Sequence, residues 1–183
     1  MLDKTSIKML YTEYYSKPIM DTMNIDLAVG NIAWEITDLS DIDWRSESPP
    51  LYVGVLNGGM TFFSDITKFL PSGYCQYVGR EGEEPKIPMH YSEEVKRIFI
   101  FDLICDTGST LSNLVKKYQN CYPNALIHTV CLLVTDRPNK VLQPNYCHNM
   151  VQHEFKYKGY GLCDEEGIGA NEHRIFCIEG SMK

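Results

Sequence analysis

Two acids and a set of hydroxyls around one glycine are the residues of this sequence best placed to do chemistry: Asp102 and Asp106, followed directly by Thr107, Gly108, Ser109 and Thr110. They lie between an apolar run, residues 97–101, and a stretch from 110 to 118 whose Leu111, Leu114, Val115 and Tyr118 recur at helical spacing. A helix beginning there turns its free N–H groups and the positive end of its dipole toward the loop, and both attract an anion. Gly108 has no Cβ to block close approach, and the hydroxyls of Thr107, Ser109 and Thr110 add donors. The pattern predicts a cradle for a single phosphate. Asp102 and Asp106 then stand at a distance suited to a ribose carrying that phosphate, one carboxylate for vicinal hydroxyls and the other toward the anomeric carbon. The plain alternative is an N-cap at Asp106 beside an incidental Asp102. Because the loop lacks a lysine and a Gly-Lys-Ser/Thr ending, and does not read Gly-x-Gly-x-x-Gly, a nucleoside triphosphate and a dinucleotide are both disfavoured.

The elements that must position these residues follow from periodicity. Residues 51–56 form an unbroken β-prone run closed by Asn57-Gly58-Gly59, and Phe62, Ile66, Phe69 and Leu70 continue at helical spacing. Strand, turn and helix therefore occur twice, around residues 57–59 and 106–109. An amphipathic helix is expected over 24–39, strands near 74–78, 97–101 and 127–134, and short strands near 146–154 and 174–179; residues 1–23 show no clean period. Alternating strands and helices predict an α/β fold, a mainly parallel twisted sheet flanked by helices, with ligands at the carboxyl edge where both glycine turns lie. The charged segment around 81–88 reads either as a mobile loop over the site or as a solvated hairpin tip.

Composition narrows the function classes. The 183 residues fit one domain, 1–183, and with 44% hydrophobic and 22% charged residues resemble an ordinary soluble protein. No apolar run approaches the roughly 18 to 20 residues that span a bilayer, so no membrane partner is expected. A net charge of −7 without a basic cluster argues against nucleic acid. The start of the chain lacks the basic and apolar regions of a secretory signal, and its seven cysteines, none spaced Cys-x-x-Cys, read as reduced thiols; both point to the cytoplasm.

The segment Asp102-Leu103-Ile104-Cys105-Asp106-Thr107-Gly108-Ser109-Thr110 resembles the phosphoribosyl diphosphate (PRPP) motif of type I phosphoribosyltransferases. Residues 53–65, with Leu56-Asn57-Gly58-Gly59, resemble the pyrophosphate loop and helix of the hypoxanthine-guanine branch, and residues 132–138 and 158–164 resemble its later base-pocket segments. The resemblance implies that branch's fold, including a small hood formed by terminal segments. It implies that Asp106 through Thr110 hold the 5-phosphate, that Asp102 holds the ribose hydroxyls, and that Leu56, Asn57, Gly58 and Gly59 meet the pyrophosphate, with the Leu56–Asn57 peptide often cis. Asp106 would also take or orient the proton on the base nitrogen. Thr135, Asp136, Phe155 and Tyr157 would form the base site, and Asp164 would serve Mg²⁺. The implied reaction transfers phosphoribose from PRPP to a nucleobase with release of pyrophosphate, a 6-oxopurine such as hypoxanthine or guanine being the leading base, in nucleotide salvage. Association into a homo-oligomer, dimer or tetramer, is also expected.

The sequence departs from that family at named positions. Leu103 replaces the second of two adjacent acids, Asn57 stands where Lys or Arg is common, Thr135 where a lysine reads the purine's 6-oxo group, and Cys163 where a metal-side aspartate sits; Arg174 is the nearest match to a late arginine. These keep other readings open: a module of the same fold that senses PRPP or a nucleotide, or a transferase for a different base, with Asp136 and Arg137 presenting an acceptor and a donor. A hydrolase or thiol enzyme using Cys105 or Cys163 would need a nearby base, and none of the histidines is placed by a motif.

Overall fold

A computed structural model of the chain describes residues 18–38, 43–44, 48–79, 95–163 and 167–178. In chain order its elements are β1 (Pro18–Met20), α1 (Thr22–Thr37), β2 (Leu51–Val55), α2 (Gly59–Ile66), β3 (Tyr74–Val78), β4 (Arg97–Cys105), α3 (Ser109–Cys121), β5 (Leu126–Thr135), β6 (Tyr146–Val151), β7 (Lys156–Lys158) and β8 (Ile175–Ile178). One sheet has the order β3-β2-β4-β5-β6, and every neighbouring pair in it is parallel. From β2 the chain moves outward to β3, then returns to place β4 on the other side of β2. That reversal opens a crevice at the carboxyl ends of β2 and β4, the position where open parallel sheets bind ligands.

The apolar runs read as buried strands are buried on both faces. All of β2 is buried, as is β4 except for half-buried Ile104. Phe99, Phe101 and Leu103 join Ile25, Ile32, Phe62 and Ile66 of α1 and α2 on one face, while Ile98 and Ile100 pack with Leu111, Leu114 and Tyr118 of α3 on the other. Successive strand residues point to opposite faces, so a strand covered on both sides must be apolar without interruption. Gly54 lets α2 lie close on β2, because a Cβ there would come within 2.7 Å of the Phe63 ring. Asp21 caps α1 by accepting from the Asn24 N–H at 2.8 Å.

A second, antiparallel sheet, β1-β8-β7, joins segments from both ends of the described chain and forms the expected hood. The expected strand over 146–154 ends at Val151, where β6 finishes the parallel sheet, and β7, which the sequence did not predict, pairs with β8. The strand expected to end at Phe101 runs on to Cys105, so Asp102 sits within β4. The expected loop at 81–88 lies outside the described residues. All seven cysteines are free thiols, and among the described residues no helix is long and apolar enough to cross a membrane.

Candidate active site

The phosphate-type loop is built at the end of β4. Gly108 precedes α3 with φ of +79° and gives it no side-chain cap, so Asp106 is not the N-cap. Thr107 and Ser109 instead order the turn: the Ser109 N–H donates to Thr107 Oγ1 at 3.2 Å, and the Thr107 hydroxyl donates to Ser109 Oγ at 2.9 Å. The need for glycine at 108 also differs from expectation. A Cβ there would run into the backbone of Leu142, in the β5–β6 connection, as well as suffer from the left-handed backbone. The same connection is tied to the loop by the Val141 N–H donating to Thr107 O at 2.8 Å. Gly108 thus admits a neighbouring segment of this chain behind the loop.

The two carboxylates have different surroundings. Asp102 is only 6% exposed, and its Oδ1 accepts the Leu103 N–H at 2.8 Å. Gly59 brings the start of α2 beside it, since a Cβ at 59 would lie 3.3 Å from Asp102 Cα. Gly59, which closes the turn after the cis Leu56–Asn57 peptide, therefore stands beside Asp102. Asp106 is gripped by Arg137, whose Nε donates to Oδ1 at 2.9 Å and whose other guanidinium nitrogen, Nη2, donates to Oδ2 at 3.2 Å. The Thr135 hydroxyl donates to Oδ1 at 3.0 Å. The hydrogen bond to Asp106 raises the Arg137 pKa above its already high ordinary value, against the effect of partial burial.

The two carboxylates share one cavity of about 400 Å³, within the range of small-molecule sites, and the turn at 56–59 is not in its lining. Its near wall holds Asp102, Asp106 and the loop through Thr110, and its far wall holds Phe155, Lys156, Tyr157, Leu162 and Cys163. Of the expected base residues, Phe155 and Tyr157 line it. Tyr157 is fixed by donating its hydroxyl to Gln152 O at 2.7 Å, and burial first of all pushes that hydroxyl's pKa up to about 12. Thr135 and Asp136 are not in its lining. Thr135 is buried with its hydroxyl on Asp106, and Asp136 accepts from the backbone N–H and ring Nδ1 of His153, each at 2.7 Å. Arg137 likewise faces Asp106, which its alternation with Asp136 after an apolar strand did not reveal.

Sequence reasoning also missed what seats the far wall. Tyr160 donates its hydroxyl to Asp65 Oδ2 of α2 at 2.7 Å, and at Gly161 a Cβ would strike the carbonyl of Gly58. The positive φ of Gly159 and Gly161 accompanies a tight turn there, the one signal the Gly-Tyr-Gly spacing carried. Cys105 lines the cavity, but its hydrogen-bond partners are the Cys131 thiol and the Leu142 carbonyl; Cys131 is the main cause of its lowered pKa. No histidine among these partners could serve it as a base.

Asp164 lies outside the described residues, and among those described no group of three or more His, Cys, Asp and Glu could hold a metal. Mg²⁺ fits such a site without a cage. It keeps waters, takes substrate phosphate oxygens and needs only one or two carboxylates, and Asp102 lines the cavity.

No protein-family model matches the chain, and no curated protein matches its sequence. Solved structures do match its shape. A hypoxanthine-guanine-xanthine phosphoribosyltransferase superposes with a TM-score of 0.76 at 20% identity, over 92% of this chain and 98% of that one. The hypoxanthine phosphoribosyltransferase of Trypanosoma cruzi, solved with its product IMP, gives 0.78 at 21% identity over 92% and 96% of the two chains. That of Staphylococcus aureus gives 0.73 at 21% identity over 93% and 95%. The parallel sheet with its flanking helices, the crevice between β2 and β4 and the antiparallel hood make this the type I phosphoribosyltransferase fold.

Proposed function

We propose that the protein transfers a 5-phosphoribosyl group from PRPP to a nucleobase and releases pyrophosphate, acting in cytoplasmic nucleotide salvage with a 6-oxopurine as the leading base. One observation carries this reading: a single cavity gathers a monophosphate-type loop at a helix start, two carboxylates and two aromatic residues at the reversal point of a parallel sheet. The loop residues Thr107, Gly108, Ser109 and Thr110 hold the 5-phosphate. Asp102 accepts from the ribose hydroxyls, and the turn at residues 56–59, beside it, receives the pyrophosphate. Mg²⁺ would neutralise charge on that leaving group when bound, with Asp102 and Asp164 as its protein ligands.

The chemistry asks for positioning and exclusion of water more than for covalent participation. A base nitrogen attacks the anomeric carbon as its bond to the pyrophosphate oxygen breaks, and the bonding pair leaves with the pyrophosphate. Phe155 and Tyr157 hold the base plane by stacking. Asp106 receives or orients the proton released from the base nitrogen. Assembly with copies of itself belongs to the same proposal.

A second reading, a PRPP sensor with this fold, is favoured by the ion pair that already engages Asp106 and by the apolar Leu103, wholly buried in the core where the family has an acid. Calorimetry with PRPP and Mg²⁺, followed by pyrophosphate release with a panel of purines and pyrimidines, separates the two. Release with one base, lost in Asp106→Asn, is the expected result. Tight PRPP binding without turnover on any base would support the sensor, and no binding would overturn the assignment of the loop.

A further inference from the structure

Resting on the transferase reading above, we propose that Arg137 is a positioning residue for the reaction: its guanidinium clamps the Asp106 carboxylate, fixing its orientation and its ionised form before the base arrives. The contact is bidentate, Nε to Oδ1 at 2.9 Å and Nη2 to Oδ2 at 3.2 Å, with both side chains about 30% exposed at the cavity's edge. A planar guanidinium matches both carboxylate oxygens at once, so it fixes the carboxylate plane as well as its charge. A lysine would supply only a point charge.

The arginine is itself held in place. Next to it, the Asp136 N–H donates to Val151 O at 2.8 Å, anchoring the chain to β6. Lys140 donates from Nζ to the carbonyls of Thr135 and Arg137, and the Val141 N–H reaches Thr107 O on the phosphate-type loop at 2.8 Å. The connection from β5 to β6 thus runs from the hydroxyl on Asp106, through the guanidinium on Asp106, to the loop that follows Asp106. Two side chains, those of Thr135 and Arg137, converge on one carboxylate.

This explains why two of the polar residues expected to read the base, Thr135 and Arg137, turn away from it: they set the acid. The clamp limits what Asp106 does. A carboxylate facing a guanidinium is a weaker base than a free one. Asp106 therefore acts mainly by accepting a hydrogen bond from the base N–H and holding the reacting nitrogen in line, with full proton transfer later. The titratable and charged groups around it are Arg137 and Lys140 on the β5–β6 connection, Asp102 and Cys105 on β4, and Lys156, Tyr157 and Cys163 across the cavity.

The test is steady-state kinetics of the full chain with PRPP, Mg²⁺ and the base that supports turnover, between about pH 5 and 9, for the native chain, Arg137→Met, Arg137→Lys and Thr135→Val. Arg137→Met should lower kcat about 10- to 100-fold with a much smaller change in KM for PRPP, and should move the acid limb of the pH profile to higher pH. Arg137→Lys should keep the acid limb near its native position while recovering only part of kcat. Thr135→Val, which removes one neutral donor to the same carboxylate, should move the limb in the same direction by less than Arg137→Met does. Melting curves identify any variant that fails to fold; if Arg137→Met does, Arg137→Lys still decides, because a guanidinium that merely staples two loops predicts native kcat for a folded lysine variant. Native kcat and an unmoved acid limb in folded Arg137 variants would overturn the inference while the transferase reading stands. Absence of turnover by the native chain on every base would overturn that reading, and this inference with it.

Discussion

The two walls of the cavity are made in different ways. The phosphate side is almost contiguous in sequence, from Asp102 to Thr110, and hangs on the end of β4, the buried middle strand of the parallel sheet. The opposite wall, residues 155–163, arrives from a different sheet and is seated by distant contacts, Tyr160 on Asp65 and Gly161 against Gly58. Backbone shape defines the first wall, and side-chain identity defines the second. A backbone cradle survives substitutions around it, whereas a pocket read by side chains changes its ligand when they change. The positions noted as unusual in the sequence fall on both sides: Leu103 is absorbed by the core, Thr135 faces Asp106, and Cys163 lies on the opposite wall.

The sharpest way to break this contrast is Gly108→Ala. The new Cβ meets the Leu142 backbone, which cannot swing aside like a side chain, and the residue must hold φ near +79°. A loss of about 2 to 4 kcal/mol in folding stability is expected, with PRPP binding falling alongside it. Chemical denaturation and calorimetry measure both. Native stability would mean that residues 141–142 rest on the loop more loosely than the geometry requires.

Phe155→Ala should act on the opposite wall alone. If the ring stacks on the base, its removal raises KM for the base about tenfold, because stacking on an aromatic ring is worth on the order of 1 to 3 kcal/mol. The Kd for PRPP should stay within about twofold, since no phosphate contact is touched. A loss of PRPP affinity as large as the loss of base affinity would show that the walls are coupled, and the contrast between them would fail.

The same difference explains what the sequence made legible. Strand, glycine turn and helix are local patterns, so the parallel sheet, the crevice and the carboxylates at 102 and 106 could all be read from periodicity and turn chemistry. Three things could not. Asp106 looked like a possible N-cap, yet its partners Thr135 and Arg137 are some 30 positions away and meet it only because β4 and β5 lie side by side. Gly108 looked like an opening for a ligand, but its neighbour is Leu142, brought in by the β5–β6 connection. The strand at 156–158 shows no period of its own, and only pairing with β8 places it in the hood. Each miss is a long-range contact that no local period encodes.

The smallest expected effect tests whether Asp136 belongs to either wall. Its carboxylate is held below the usual carboxylate range, first by the hydrogen bond from the His153 ring and then by that residue's backbone N–H. A carboxyl depressed in the folded state contributes stability that is fully present above its unfolded pKa of about 3.9 and is lost as pH falls through the lower folded value. Asp136→Asn should therefore lower Tm slightly at neutral pH, and the gap from the native chain should close as the pH falls through the depressed folded pKa. Because Asp136 is occupied by His153 and does not line the cavity, KM for the base should change by less than about twofold. A large rise in KM with unchanged Tm would return Asp136 to the base site, and the wall that reads the base would then extend to the end of β5.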